Sequence, residues 1–216
     1  MKKWMLLAMA LLCVLLLAAC RGDEEPIVDK SVMAVPAKPV IYLYPETETQ
    51  VTVELDFNGT LTSTYPAYAN GWRVTARPDG TLTDASGREY YCLFWEGETT
   101  VEYDFSAGFC VAGEDTAAFL EDSLKKLGLT DKEANEFIIY WLPRMEGNAY
   151  NLIAFQQEVY ADNAALTIDP APDSLLRVFM AWKELDAPVE VAPQELPGFV
   201  RSGFAAVEWG GAEVAD

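Results

Sequence analysis

No histidine occurs anywhere in this chain. That absence removes Ser/His/Asp and Cys/His nucleophile systems, most zinc sites and the commonest general base near neutral pH. Any catalysis would have to run on carboxylates, lysine, tyrosine or an oxygen-bound metal. Basic residues are scarce as well: 15 Lys and Arg stand against 34 Asp and Glu, a formal net charge of −19. A surface of this sign repels phosphate, which excludes nucleic acid as a partner, and it repels anionic lipid headgroups too. Solubility and self-repulsion account for most of the acidity. Cysteine is rare, with four in the chain, of which only Cys92 and Cys110 lie beyond the first twenty residues. Neither belongs to a CxxC motif, and both have aromatic and aliphatic neighbours. They are either a disulfide or two buried apolar thiols, since spacing alone does not set the Cα separation a bond requires.

Only one long hydrophobic run is present. Lys2 and Lys3 precede an apolar stretch at 4–17, and the small residues Ala18 and Ala19 follow it. The stretch falls short of the ~20 residues that span a bilayer core, and Arg21 comes directly after Cys20, so it reads as a signal peptide over 1–19 rather than an anchor. Leu17-Ala18-Ala19-Cys20 resembles the processing box of bacterial lipoprotein precursors. Cys13, behind the bulky Leu11-Leu12, suits cleavage less well. The resemblance implies that Cys20 becomes the first residue and carries lipid, which places the protein on the extracytoplasmic face of a bacterial membrane. With roughly 0.8 kcal/mol per buried methylene, one acyl chain holds marginally and two hold firmly.

Residues 20–38 are polar, acidic and broken by Pro26 and Pro36, the composition of a flexible tether. Its Arg21-Gly22-Asp23 lies too close to the lipid to serve as an adhesion signal. From 39 to 112 the pattern is strand-like. Residues 39–45 form a short apolar run between prolines, and Val51, Val53, Leu55 and Phe57 alternate with polar residues. Asn58-Gly59 predicts a tight hairpin into 60–64. Further strands are expected at 72–76, 81–83, 88–95 and 99–105, together a sandwich-like antiparallel part. After Gly113 the period changes. Phe119, Leu120, Leu124 and Leu127 recur at helical spacing before Gly128, and Thr130 with Glu133 forms a capping box opening a second helix that Pro143 should stop. Strands return at 151–155, 165–168, 176–182 and 204–209. The expectation is an α+β fold: a β-rich part over 39–112, with an α+β part over 113–216, including the helical hairpin, packed against it. Residues 38–46, 140–156 and 208–211 are similar to a group of secreted bacterial proteins of unassigned function, a resemblance that implies no catalytic residue.

Acids beside aromatics occur twice, in Trp95-Glu96-Gly97 and Glu208-Trp209-Gly210-Gly211. Aromatic faces stack on sugar rings and two carboxylates can cleave a glycosidic bond; the plainer reading is core tryptophans at strand ends beside solvated glutamates. Residues 144–151 gather Arg144, Glu146, Asn148 and Asn151 in a helix-to-strand connection. There an arginine could clamp a carboxylate while the others orient a ligand, or all could satisfy the loop's own backbone. Arg177, inside an apolar strand, calls for an acidic partner. Ser123 and Lys126 have SxxK spacing without the companion motifs of penicillin-recognising enzymes. Asp79, Asp84, Asp162, Asn163 and Asp169 sit in turns without a calcium-loop pattern, so neither metal nor cofactor is expected. The sequence therefore points to a lipid-anchored, non-enzymatic module that binds a partner protein or envelope saccharide through residues 144–151. The alternative is a carboxylate-based glycan hydrolase using two of Glu96, Glu146 and Glu208.

Overall fold

A strand that is apolar at every position needs cover on both faces. The computed structural model describes residues 37–214; the expected signal peptide, Cys20 and the tether up to residue 36 lie outside them. The run at 39–45 belongs to strand β1 (Ala37–Tyr44), in the interior of an eight-stranded sheet. Counted across from one edge, its strands are β12 (Ala192–Pro193), β8 (Ala107–Ala112), β9 (Tyr150–Phe155), β11 (Ser174–Leu185), β13 (Ala205–Glu213), β1, β7 (Leu93–Glu98) and β3 (Thr60–Tyr65). Alternation sends Val40 and Tyr42 to one face and Ile41 and Leu43 to the other. Leu176, Val178 and Met180 of β11 and Val207 and Trp209 of β13 join the first face, whereas Phe179, Ala206 and Ala212 join the second.

Helices cover the first face. Helix α1 (Thr116–Leu127) presents Leu120, Leu124 and Leu127, and α2 (Asp131–Met145) presents Phe137, Trp141 and Met145. Gly128 closes α1 in the left-handed conformation, φ 99°, which a side chain would disfavour. The Thr130/Glu133 capping box opens α2 as expected. The second face meets a five-stranded sheet ordered β10 (Ala164–Asp169), β2 (Thr49–Phe57), β4 (Trp72–Ala76), β5 (Leu82–Thr83) and β6 (Glu89–Tyr90). It contributes Val51, Val53, Leu55, Trp72, Val74 and Leu82 to the core between the sheets. The result is an α+β fold of three layers: helices, large sheet, small sheet.

Several sequence expectations change. Asn58-Gly59 does not make a hairpin: β2 pairs with β10 and β4, while β3 pairs with β7 in the other sheet. The turn carries the chain across the sandwich, and its glycine is required because a Cβ would collide with Glu98 O and the Phe57 ring. Of the expected strand at 99–105 only Thr99 makes a bridge; 100–105 run without a ladder partner, and β8 begins only at Ala107. The expected parts 39–112 and 113–216 are not separate layers, since β1, β3 and β7 share one sheet with β8, β9, β11 and β13, and β10 pairs with β2. The pairing is not wholly antiparallel either: β11 and β13 run parallel, joined by a crossover through residues 186–204. Pro143 does not stop α2, which continues to Met145. The carbonyl of Ile139, deprived of its partner by the proline, lies at a residue 64% exposed, where water can take it. A short helix, α3 (Gln157–Asn163), lies where no periodic apolar face announced one.

Close packing of α2 on β13 yields a direct test. At Gly211 a Cβ would come within 2.7 Å of Trp141 Cζ2, whereas Gly147 has nothing within 4 Å. Gly211→Val should therefore destabilise by about 1–3 kcal/mol, while Gly147→Ala should change stability by less than about 0.5 kcal/mol, both read from urea midpoints. Coincident midpoints for the two variants would contradict this packing.

Candidate functional site

Parallel pairing of β11 with β13 sets Arg177 directly beside Glu208, and alternation turns both into the layer between the sheets. Glu208 is fully buried. Arg177 Nε lies 2.7 Å from Glu208 Oε2, and Trp95 Nε1 donates to Oε1 at 3.1 Å, so each carboxylate oxygen has a donor. The guanidinium gives a further bond, Nη2 to Ala164 O at 2.7 Å, and rests 4.6 Å from the ring centre of Tyr160. Tyr160 stacks in turn on Phe179 at 4.1 Å. Burial, the largest influence, would by itself lower the Arg177 pKa, but the charge and hydrogen bond of Glu208 together with Tyr160 outweigh it and keep the guanidinium protonated. Burial, reinforced by the Glu208 charge, pushes the Tyr160 phenol well above its ordinary value. Its hydroxyl sits by the pair without meeting hydrogen-bond geometry. Such a pair adds little net stability, since desolvation consumes most of its Coulomb energy, yet removing one partner strands the other.

Beyond the guanidinium the surface opens into a groove of about 760 Å³. Its floor is Leu175, Leu176 and Arg177 of β11 with Phe155 and Gln156 at the end of β9; α3 forms one wall and the crossover around Pro197 and Phe199 the other. Side-chain amides finish the frayed strands around it. Gln194 accepts from Phe155 N at 2.8 Å and donates back to Phe155 O at 2.6 Å, and Gln156 bonds both backbone groups of Asp104. No sequence pattern marked this groove, because its parts come from five separate segments.

The residues expected to form a site at 144–151 satisfy one another. Arg144 donates to Tyr140 O one turn back and lies 4.1 Å above the Tyr140 ring. Asn148 Nδ2 donates to Asn151 Oδ1 at 2.8 Å, and the fully buried Asn151 donates to Thr116 Oγ1 at 3.1 Å and Met145 O at 3.0 Å. Glu146 is the exposed cap residue of α2. The cluster ties α2 to α1 and β9. Trp95 and Glu208 do meet, inside the core. Trp209 projects from the opposite face of the sheet, 5.2 Å from Phe137. Glu96 follows Trp95 and so points away from Glu208, its carboxylate accepting from Lys38 N at 3.2 Å. Glu208, buried between the sheets, shares no cleft with Glu96 on the other face or with the exposed Glu146. Cys92 and Cys110 are free. Cys110 lies on β8 and Cys92 just before β7, five strand spacings apart in the sheet, roughly 24 Å, so no bond can join them. Burial, aided by the Glu136 charge, pushes the Cys92 thiol up to about 12. Asp79 and Asp84 are occupied by their own turns, Asp84 accepting from Ser86, Arg88 and Tyr90. Among the described residues no three acidic or thiol side chains gather as a metal site.

A second lock lay half hidden in the capping box. Glu133 accepts from Thr130 N at 2.8 Å, from the Tyr44 hydroxyl at 2.9 Å, and from both terminal nitrogens of Arg201, Nη1 at 3.0 Å. Arg201 Nη2 also reaches Gly128 O at 2.9 Å, fastening the crossover to the helix hairpin. The sequence motif identified the cap but could not announce the tyrosine or the arginine, which come from 89 and 68 residues away.

Two predictions follow from these pairs. Arg177→Met and Glu208→Leu singly should each cost about 3–5 kcal/mol, with the double replacement near neutral by comparison; additive losses in denaturant titration would reject the pairing. Burial raises the Glu133 pKa, but the Arg201 guanidinium and the Thr130 N–H outweigh burial and hold it below the ordinary carboxylate value. Its stabilising effect is then complete above about pH 4.3, the unfolded-state value, and is lost as pH falls through the lower folded value. Arg201→Gln should move acid unfolding, followed by circular dichroism, to higher pH. An unmoved midpoint would show that the contact is idle.

No protein-family model matches the chain, and no solved structure matches it. A search of curated proteins finds an "Uncharacterized protein in bglA 3'region" from Butyrivibrio fibrisolvens, 48% identical over 64 residues. The match covers 28% of this chain and 66% of that protein, just under two thirds of its length.

Proposed function

We propose that this is a lipid-anchored protein of the extracytoplasmic bacterial surface, held by lipid on Cys20, that acts as a non-enzymatic binding module for a partner protein. The observation that carries the binding role is the groove of about 760 Å³ beside Arg177, with an apolar floor and polar rim. The loop at 144–151, the first expectation for a binding surface, is a weaker candidate because Arg144, Asn148 and Asn151 bond internally. A hydrolytic role is disfavoured by the commitment of Glu208 to Arg177 and Trp95 in the core, away from Glu96 and Glu146. The support for the anchor is the Leu17-Ala18-Ala19-Cys20 box together with an acidic surface that has no affinity of its own for anionic headgroups. Among the described residues no helix is long and apolar enough to cross a membrane.

Two measurements bear on this. Cells fed a palmitate analogue should label the parent protein and not Cys20→Ala; label retained on the variant would refute the anchor. A photoreactive benzophenone side chain at Glu158, on the groove rim, should give a protein adduct on intact cells, while one at Glu121 on α1 should give none. Absence of adducts from both positions would remove the binding role.

A further inference from the structure

The floor of the groove is an unfinished piece of sheet. Strand β11 begins at Ser174 and pairs with β13 along Ser174–Trp182, but on its other side β9 reaches only as far as Met180. The direction of each backbone group follows from bonds at the two ends. Ser174 N–H donates to Phe204 O at 3.2 Å, and Val214 N–H reaches Trp182 O at 2.9 Å, so even-numbered residues of β11 turn their backbone to β13. Odd-numbered residues turn the other way, and Phe179 O accordingly accepts from Gln156 N at 2.8 Å, the last bond on the β9 side. Leu175 and Arg177 are next in that row. Their N–H and C=O groups face the groove and have no backbone partner among the described residues.

We infer that the groove binds an extended, basic peptide segment of a partner protein by strand addition to β11 at Leu175 and Arg177, in line with β9. This rests on the binding role proposed above and specifies its occupant. Two residues offer four backbone bonds, and at ~3.3 Å per residue a segment of three or four residues would span them. Leu175, 37% exposed at the floor, supplies an apolar contact for the added strand. Charge selects the sign of the occupant. The carboxylates of Asp104, Glu158 and Glu195 line the groove and are exposed, while the cation lining it, Arg177, is already neutralised by Glu208. A segment carrying Lys or Arg is therefore attracted and an acidic one repelled.

The test uses the mature lipoprotein in detergent micelles and a phage-displayed library of random octapeptides. Amide exchange in the free protein should be fast at Leu175 and Arg177 and slow at Leu176 and Val178, whose N–H groups are shared with β13 or packed against it. Panning should enrich sequences with Lys or Arg among alternating apolar residues. A synthetic copy should slow exchange at Leu175 and Arg177, bind at least tenfold more weakly when alternate backbone amides are N-methylated, and lose at least tenfold on Glu158→Lys/Glu195→Lys. Leu175→Pro, which deletes an N–H that no internal bond uses, should have the same effect; should that variant not fold, exchange and N-methylation decide alone. Protected Leu175 and Arg177 amides in the free protein, an unenriched library, enrichment of acidic sequences, or binding indifferent to N-methylation would each overturn strand addition. If the Glu158 adduct on cells persists after any of these failures, the binding role stands and only its mode falls; if the adduct is absent too, both fall.

Discussion

The constraint from which the rest follows is that the central strands of the large sheet have no face turned to water. Helices α1 and α2 cover one side and the small sheet covers the other, so β1, β11 and β13 must be apolar on both. Only a strand that accepts this can occupy the middle of the order, which is why the threonine-rich β3 lies at one edge and the two-residue β12 at the other. Within the doubly buried strands Arg177 and Glu208 are the charged exceptions that face each other. Parallel register makes them neighbours, and the low dielectric makes each indispensable to the other.

The ion pair and the open strand edge are two results of one chain path. Arg177 needs an acceptor and a lid on the side away from Glu208, and these are Ala164 O and the Tyr160 ring. Both arrive on α3 and the first residue of β10, and to deliver them the chain must leave the sheet at Gln156, immediately after β9. A β9 continued along β11 would have paired Leu175 and Arg177 but left the guanidinium uncovered. The crossover completes the enclosure from the helical side, where Gln194 holds the end of β9 and Arg201 holds Glu133. A groove with a sheet edge for its floor is what remains between the two.

What the sequence made legible was local. Gly128, Thr130 and Glu133 located the end of α1 and the start of α2 because capping is settled within a few residues, and the strand at 72–76 matched β4 to the residue. Asn58-Gly59 misled because a turn signal says that the chain reverses, not which sheet receives it; the choice depends on β7, forty residues on. Residues 99–105 alternate as a strand should, yet beyond the bridge at Thr99 the segment is held by side chains, the Gln156 amide bonding both backbone groups of Asp104, rather than by a ladder. Helix α3 escaped notice because its role is to place one aromatic ring, which leaves no period to read. Arg177 was legible as a residue in need of an acid, but its partner was singled out for a sugar site, since nothing near Glu208 in sequence reveals the arginine beside it.

The scarcity of basic residues acquires a structural meaning here. Of 15 Lys and Arg, two arginines are committed inside, Arg177 to Glu208 and Arg201 to Glu133. Glu133 accepts four hydrogen bonds, and each Glu208 oxygen is held by a donor in the core, so both buried carboxylates are committed to structural pairs. The interior therefore consumes cations that the surface would otherwise show, and it does so beside the groove whose rim is lined by Asp104, Glu158 and Glu195. A partner entering there gains twice. Its backbone completes a row of hydrogen bonds that the fold leaves open, and its positive charges meet carboxylates that no cation pairs among the described residues.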